Sequence, residues 1–222
     1  LIAAPEGAKT AAPRTPDAVY LTRHFVFVHV PRTGGNFVRV LLEQHAPADW
    51  GLQHGPDHAT VFDIPASHQH LPRLAIVRNP YAWYVSWFHF QQKTRDDFYL
   101  EISEGGRLGF ADSLRNALRK RDALARGEGP FTQTIREMLG PDVAGVRVGK
   151  FEQLRAELRR LFQEVVQLPE PLARAIDEVP VQNASQHEHW SRYYDAGLRQ
   201  MIAAKDADAL RFFGYGWEEA GG

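Results

Sequence analysis

Cysteine is absent from the 222 residues. That excludes disulfide frameworks, Cys-ligated zinc, iron–sulfur clusters and thiol nucleophiles. It suits a reducing compartment, so the expected location is the cytoplasm. No apolar run reaches the ~18 residues a membrane helix requires, because Arg or His interrupts each dense stretch. Neither sign of charge is in excess: 26 Lys and Arg stand against 27 Asp and Glu, a formal net charge of -1. A general nucleic-acid binder needs a basic surplus to displace counterions, so nucleic acid is not an expected partner. Also missing is any Gly-Lys-Ser or Gly-Lys-Thr, the pair with which nucleoside triphosphate loops handle phosphate and magnesium.

What is present is a globular composition, 44% hydrophobic and 24% charged, in a chain long enough to bury roughly 70% of its unfolded surface around one core. Residues 1–18 are dominated by Ala, Pro, Thr and Gly without a period and read as a flexible arm, with a single domain over 19–222. The chain opens on Leu1 rather than Met, which leaves room for a targeting segment removed upstream. Beyond the arm, His24–Val30 reads HFVFVHV, a strand whose near-continuous apolarity suits a sheet covered on both faces. A Pro and Gly turn follows at 31–35, and Phe37, Val40, Leu41 and Gln44 then fall at helical spacing. Leu74–Val77 and Ala144–Val148 are further strands. Helices are expected over Tyr81–Lys93, Phe110–Ala125, Thr132–Leu139, Phe151–Val166 and Asp195–Phe212. Strands alternating with helices predict an α/β domain with a mainly parallel central sheet.

The phrase Pro31-Arg32-Thr33-Gly34-Gly35-Asn36-Phe37 carries the most chemical information. A glycine turn opening a helix exposes N–H groups that lack intrahelical partners, and their dipoles favour an anion. Gly34 and Gly35 remove Cβ atoms where backbone must approach that anion. Thr33 offers a hydroxyl, and Arg32 a permanent charge with several donors. The basic residue precedes the glycines and no magnesium-binding hydroxyl follows, so the ligand is something other than a nucleoside triphosphate. A second phrase, Val77-Arg78-Asn79-Pro80-Tyr81 with Ser86 eight residues after the arginine, ends a strand with a guanidinium and sets a hydroxyl on the next helix. That pairing suits a dianionic phosphate.

These residues resemble the PAPS-dependent sulfotransferases. Arg32–Phe37 resembles that family's 5′-phosphosulfate loop, P-K-[ST]-G-[GT]-[ST], and Arg78 with Ser86 its 3′-phosphate motif. Gly149-Lys150-Phe151-Glu152-Gln153-Leu154 is similar to its strand-to-helix [YF]-E-x-L segment, and residues 193–215 resemble the closing helix of the carbohydrate-type and bacterial branches. The resemblance runs from about Phe25 to Trp217. It implies a P-loop-like three-layer fold and transfer of a sulfuryl group from 3′-phosphoadenosine 5′-phosphosulfate to an acceptor hydroxyl or amine, with no metal. The acceptor is a small molecule, a carbohydrate or a peptide. Asn36 stands where the family has Ser or Thr, and Arg32 where it commonly has Lys. A guanidinium is a very poor proton donor, so Arg32 is expected to act electrostatically.

The resemblance places the acceptor base between the two cofactor motifs, an interval containing His45, His54, His58, His68 and His70. Imidazole is the natural base near neutral pH. His58 is the first choice, from the phrase Asp57-His58-Ala59-Thr60-Val61-Phe62, and His54 the second. Ser185, with Asn183, is a candidate contact to the adenosine. Two rivals remain open: a nucleotide-binding module without catalysis, and a nucleotide kinase or other phosphoryl transferase on a related core.

Overall fold

The computed structural model describes residues 19–56, 59–122, 127–181 and 188–217. The five strands are β1 (Val19–Leu21), β2 (Val26–Val28), β3 (Gln53–His54), β4 (Arg73–Val77) and β5 (Val146–Lys150), in the spatial order β3-β1-β2-β4-β5. The pairings of β2 with β4 and of β4 with β5 are parallel, whereas β1 pairs antiparallel with both β2 and β3. The sheet is therefore mixed and open, not mainly parallel as expected. The departure comes from the segment before β2. Thr22 accepts the N–H groups of His24 and Phe25 through its hydroxyl, which itself donates to the Phe25 carbonyl. This turn folds β1 back on β2 as a hairpin instead of leaving β2 at an edge.

Helices cover both faces. Tyr20, Phe25, Phe27, Leu74 and Ile76 alternate onto one face, where they meet α1 (Gly35–His45), α6 (Leu154–Gln163) and α7 (Glu170–Glu178). Val19, Leu21, Val26, Val28, Ala75 and Val77 fill the other, against α2 (Pro80–Thr94), α4 (Phe110–Asp122), α5 (Pro130–Leu139) and α8 (Ala196–Lys205). Two short helices complete the architecture, α3 (Asp97–Ile102) and α9 (Ala207–Phe213). The helix expected over Asp195–Phe212 is thus two, broken at Asp206. That carboxylate is fully buried and turns away to accept the Thr132 N–H at 2.9 Å, the Thr132 hydroxyl at 2.7 Å and the Tyr84 hydroxyl at 2.7 Å. Asp206 thereby caps the start of α5 from another helix, satisfying a donor that α5 cannot satisfy itself. At the far rim of the sheet Arg160 Nη2 donates to the Val148 carbonyl of β5 at 2.9 Å. No described helix is long and apolar enough to cross a membrane.

Candidate functional site

β2 and β4 run parallel, with Val28 level with Ala75, so the turns that follow them emerge at the same edge of the sheet. The first turn holds Pro31 to Gly34 and leads into α1; the second holds Arg78 and Asn79 and leads into α2. Open α/β sheets place ligands at this carboxyl edge.

The first turn is built for close approach. Gly34 is left-handed, at φ 87°, and a Cβ there would press on Phe151 and Leu154 at 3.1 Å. A Cβ on Gly35 would lie 2.0 Å from His29 Nε2, overlapping the imidazole. Arg32 itself has φ 66°, a conformation costing a non-glycine residue on the order of 1 kcal/mol. Two contacts hold the turn in place: Trp83 Nε1 donates to the Pro31 carbonyl at 2.8 Å, and the Thr33 hydroxyl donates to the Val30 carbonyl at 2.7 Å. The Thr33 proton expected to serve an anion is therefore committed inside the turn. Gly35 and Asn36 open α1, where no earlier turn supplies acceptors for their N–H groups. The Phe37 N–H is already bonded to the Gly34 carbonyl at 2.9 Å, and the Phe37 ring is buried in the core beneath the Arg155 guanidinium. Phe37 thus belongs to the packing of α1, not to the expected ligand contacts.

The two turns meet through their arginines. Arg32 donates from Nε and Nη2 to Ser86 Oγ, both at 3.2 Å, and its guanidinium lies 4.8 Å over the half-exposed Phe90 ring, one turn further along α2. Arg78 reaches back from the end of β4 to within 3.5 Å of the Arg32 carbonyl and stacks 4.5 Å over the Phe151 ring. Its Nε is buried and has no hydrogen-bond partner, a donor left over where buried polar groups are ordinarily paired. Burial lowers the Arg78 pKa to about 10, opposed by the Glu152 carboxylate and reinforced by the Arg32 charge, with Tyr215 and Tyr194 as smaller favourable neighbours. Arg32 is lowered too, by burial. Two partly desolvated guanidiniums side by side repel, and an anion between them relieves both penalties.

Glu152 and Tyr215 were not singled out as site residues from sequence. Glu152 Oε1 accepts the Asn79 N–H at 2.8 Å, and Oε2 accepts the Tyr215 hydroxyl at 2.8 Å. Asn79 caps α2, its side-chain oxygen accepting the Tyr81 N–H at 3.0 Å. For Glu152 a signal in the sequence is the phrase Phe151-Glu152, directly after a strand. Trp83 and Phe90 gave another, through their spacing from Ser86 on one helix.

The histidines fare differently. His54 lies on β3, two strands from β2, with its ring against Tyr20 and its Nε2 3.7 Å from Glu43. Glu43 is eight residues along α1 from Gly35, about 12 Å of helix rise. The structure therefore does not bring His54 to the two turns. His58, Asn183 and Ser185 lie outside the described residues. Among the described residues no three metal-ligating side chains cluster. What converges at the carboxyl edge of the sheet is Arg32, Gly34, Gly35, Asn36, Arg78 and Ser86, a donor-rich cluster on the two turns. Comparisons with protein-family models, with curated proteins and with solved structures find no significant match.

Proposed function

We propose that the chain is a PAPS-dependent sulfotransferase with a P-loop-like core, whose two turns bind the phosphosulfate and the 3′-phosphate of one donor molecule. The observation that supports this most is the meeting of Arg78 with the Arg32 turn, 46 residues apart in sequence, with Ser86 bonded to Arg32. One small ligand spans both. The N–H groups of Gly35 and Asn36 that open α1 and the orphaned Arg78 Nε are donors that suit a phosphorylated ligand.

When bound, the donor supplies a sulfuryl group whose departure leaves negative charge on the oxygen that bridged sulfur to phosphorus. The protein's part is to meet that charge. The helix-opening N–H groups of Gly35 and Asn36 and the Arg32 guanidinium form a fixed positive field at one end of the pocket. Arg32 remains charged throughout and gives up no proton. The sulfur–oxygen bond to the donor breaks as the bond from acceptor oxygen to sulfur forms, and the acceptor proton passes to a base, assigned to His58. Arg78 holds the 3′-phosphate and fixes the donor for in-line attack.

Two measurements test the proposal. Adenosine 3′,5′-bisphosphate is expected to raise the melting temperature while ATP does not, and purified protein with sulfur-labelled PAPS is expected to label an acceptor from a panel of sugars, phenols, amines and peptides. Preferential stabilisation by ATP overturns the proposal in favour of a phosphoryl transferase. Binding of the bisphosphate without transfer to any acceptor overturns it in favour of a binding module.

A further inference from the structure

The last described residues are tied to the turn that carries Arg78. Lys150 Nζ donates to the Gly214 carbonyl at 3.0 Å and lies 4.5 Å over the Tyr215 ring. The Tyr215 hydroxyl donates to Glu152 and lies 3.4 Å from the Val77 carbonyl. Asn79 Nδ2 donates to the Gly216 carbonyl at 3.2 Å. Trp217 packs edge-on against Tyr81, in the first turn of α2, and carries the Arg199 guanidinium at 4.6 Å. Glu152 touches both sides, taking the Asn79 N–H with one oxygen and the Tyr215 hydroxyl with the other.

By charge alone a carboxylate is a poor neighbour for a phosphate, since it repels the ligand it sits beside. Its contribution must come through geometry and through the counter-charge it offers a buried guanidinium while no anion is present. The peptide it grips joins Arg78 to Asn79, so a shift there re-aims the Arg78 side chain and uncaps α2 together. We propose that Glu152 is a positioning residue and that Gly214–Trp217 is a C-terminal latch. Together they hold the Arg78–Asn79 turn in the conformation that presents the Arg78 guanidinium to a bound anion. The ligand half of this inference rests on the PAPS reading; the latch rests on the contacts alone.

The latch is tested in the ligand-free protein by amide hydrogen exchange over residues 77–81 and 210–217. Glu152→Ala is expected to accelerate exchange in both segments, and Tyr215→Phe in the second, while Glu152→Gln leaves both near wild type. A Gln oxygen still accepts the Asn79 N–H, and its amide can donate to the Tyr215 oxygen. Positioning is tested with adenosine 3′,5′-bisphosphate. Glu152→Ala is expected to lose at least tenfold in affinity, with Glu152→Gln restoring it to within about threefold at pH 7. The charged and titratable groups facing Arg78 are Glu152, Arg32, Tyr215 and Tyr194. Removing the one carboxylate among them moves the alkaline loss of binding in Glu152→Gln to lower pH than in wild type, which a merely structural role does not predict. Unchanged exchange in Glu152→Ala overturns the latch, and wild-type affinity in that variant overturns the positioning role. Failure of the wild-type protein to bind the bisphosphate tells against the PAPS reading, and the exchange measurement still decides the latch.

Discussion

Gly35 sits directly against the imidazole of His29. A Cβ at Gly35 would come within 2.0 Å of Nε2 and 2.2 Å of both ring carbons beside it. His29 is 8% exposed, so the ring has little room to retreat. Gly35→Ala is expected to destabilise the protein by about 1–3 kcal/mol, the range for overpacking, and to weaken anion binding. Adding His29→Ala should recover part of the loss. Urea denaturation of both single variants and the double variant checks this, since a non-additive cycle is the signature of one contact.

Arg78 is expected to set the alkaline limit of the proposed anion binding. Its folded-state pKa of about 10 lies below the ordinary guanidinium value, so between the two the unfolded chain binds the extra proton. Burying the charge therefore costs stability at neutral pH, and that cost fades as pH rises through 10. A bound phosphate works the other way, favouring the protonated form. Bisphosphate affinity is expected to fall as pH rises through about 10, with proton uptake on binding near that pH, measured calorimetrically in two buffers of different ionisation enthalpy. Arg78→Ala should weaken the bisphosphate by about 2 kcal/mol, roughly thirtyfold.

Asp206 makes a pH prediction of opposite sense. Burial raises its pKa, with its hydrogen bonds to Tyr84 and Thr132 pulling partly back. A carboxyl raised in the folded state favours folding below its unfolded pKa, near 3.8, and that contribution is lost as pH rises through the folded value. Asp206→Asn should remove this slope from the pH dependence of unfolding. Asp206→Ala leaves the Thr132 and Tyr84 donors unmet and is expected to cost about 3 kcal/mol at pH 7. Denaturant titrations from pH 4 to 8 separate the two variants.

The two histidine candidates are expected to behave differently on substitution. His54 packs on Tyr20 beside Glu43, so His54→Ala should leave sulfate transfer near wild type. His58→Ala is expected to keep bisphosphate affinity within about twofold while turnover falls at least a hundredfold, the scale of a lost general base. Steady-state kinetics and equilibrium binding of both variants make the comparison.

The parts of the fold legible in the sequence were those with local chemistry. The apolar run around Val26–Val28, the glycine turn and the spacing of α1 gave strand, turn and helix in order. Pro80 after Asn79 marked the start of α2. What escaped was set by partners distant in sequence. β1 has three residues and β3 two, too short for any period; β1 forms against β2, and β3 against β1. The break between α8 and α9 followed from the Asp206 side chain meeting Thr132, 74 residues away, whereas the local pattern reads as one helix. At the site, Arg32, Arg78 and Ser86 could be picked by residue type and position. Glu152 and Tyr215 could not, because their importance lies in whom they bond. The Phe37 ring was misplaced for the opposite reason: proximity in sequence to the loop outweighed its place on the buried stripe of α1.

The Arg160 contact to Val148 bears on how copies of this chain behave when crowded. β5 is the outermost strand of its side, a row where foreign strands can add on. There a guanidinium already occupies the Val148 carbonyl, and Arg147 is anchored sideways to the Glu164 carbonyl at 3.0 Å. A stray extended segment arriving at that border meets an ion-paired guanidinium in place of a vacant acceptor, which discourages sheet-to-sheet fusion of neighbouring molecules.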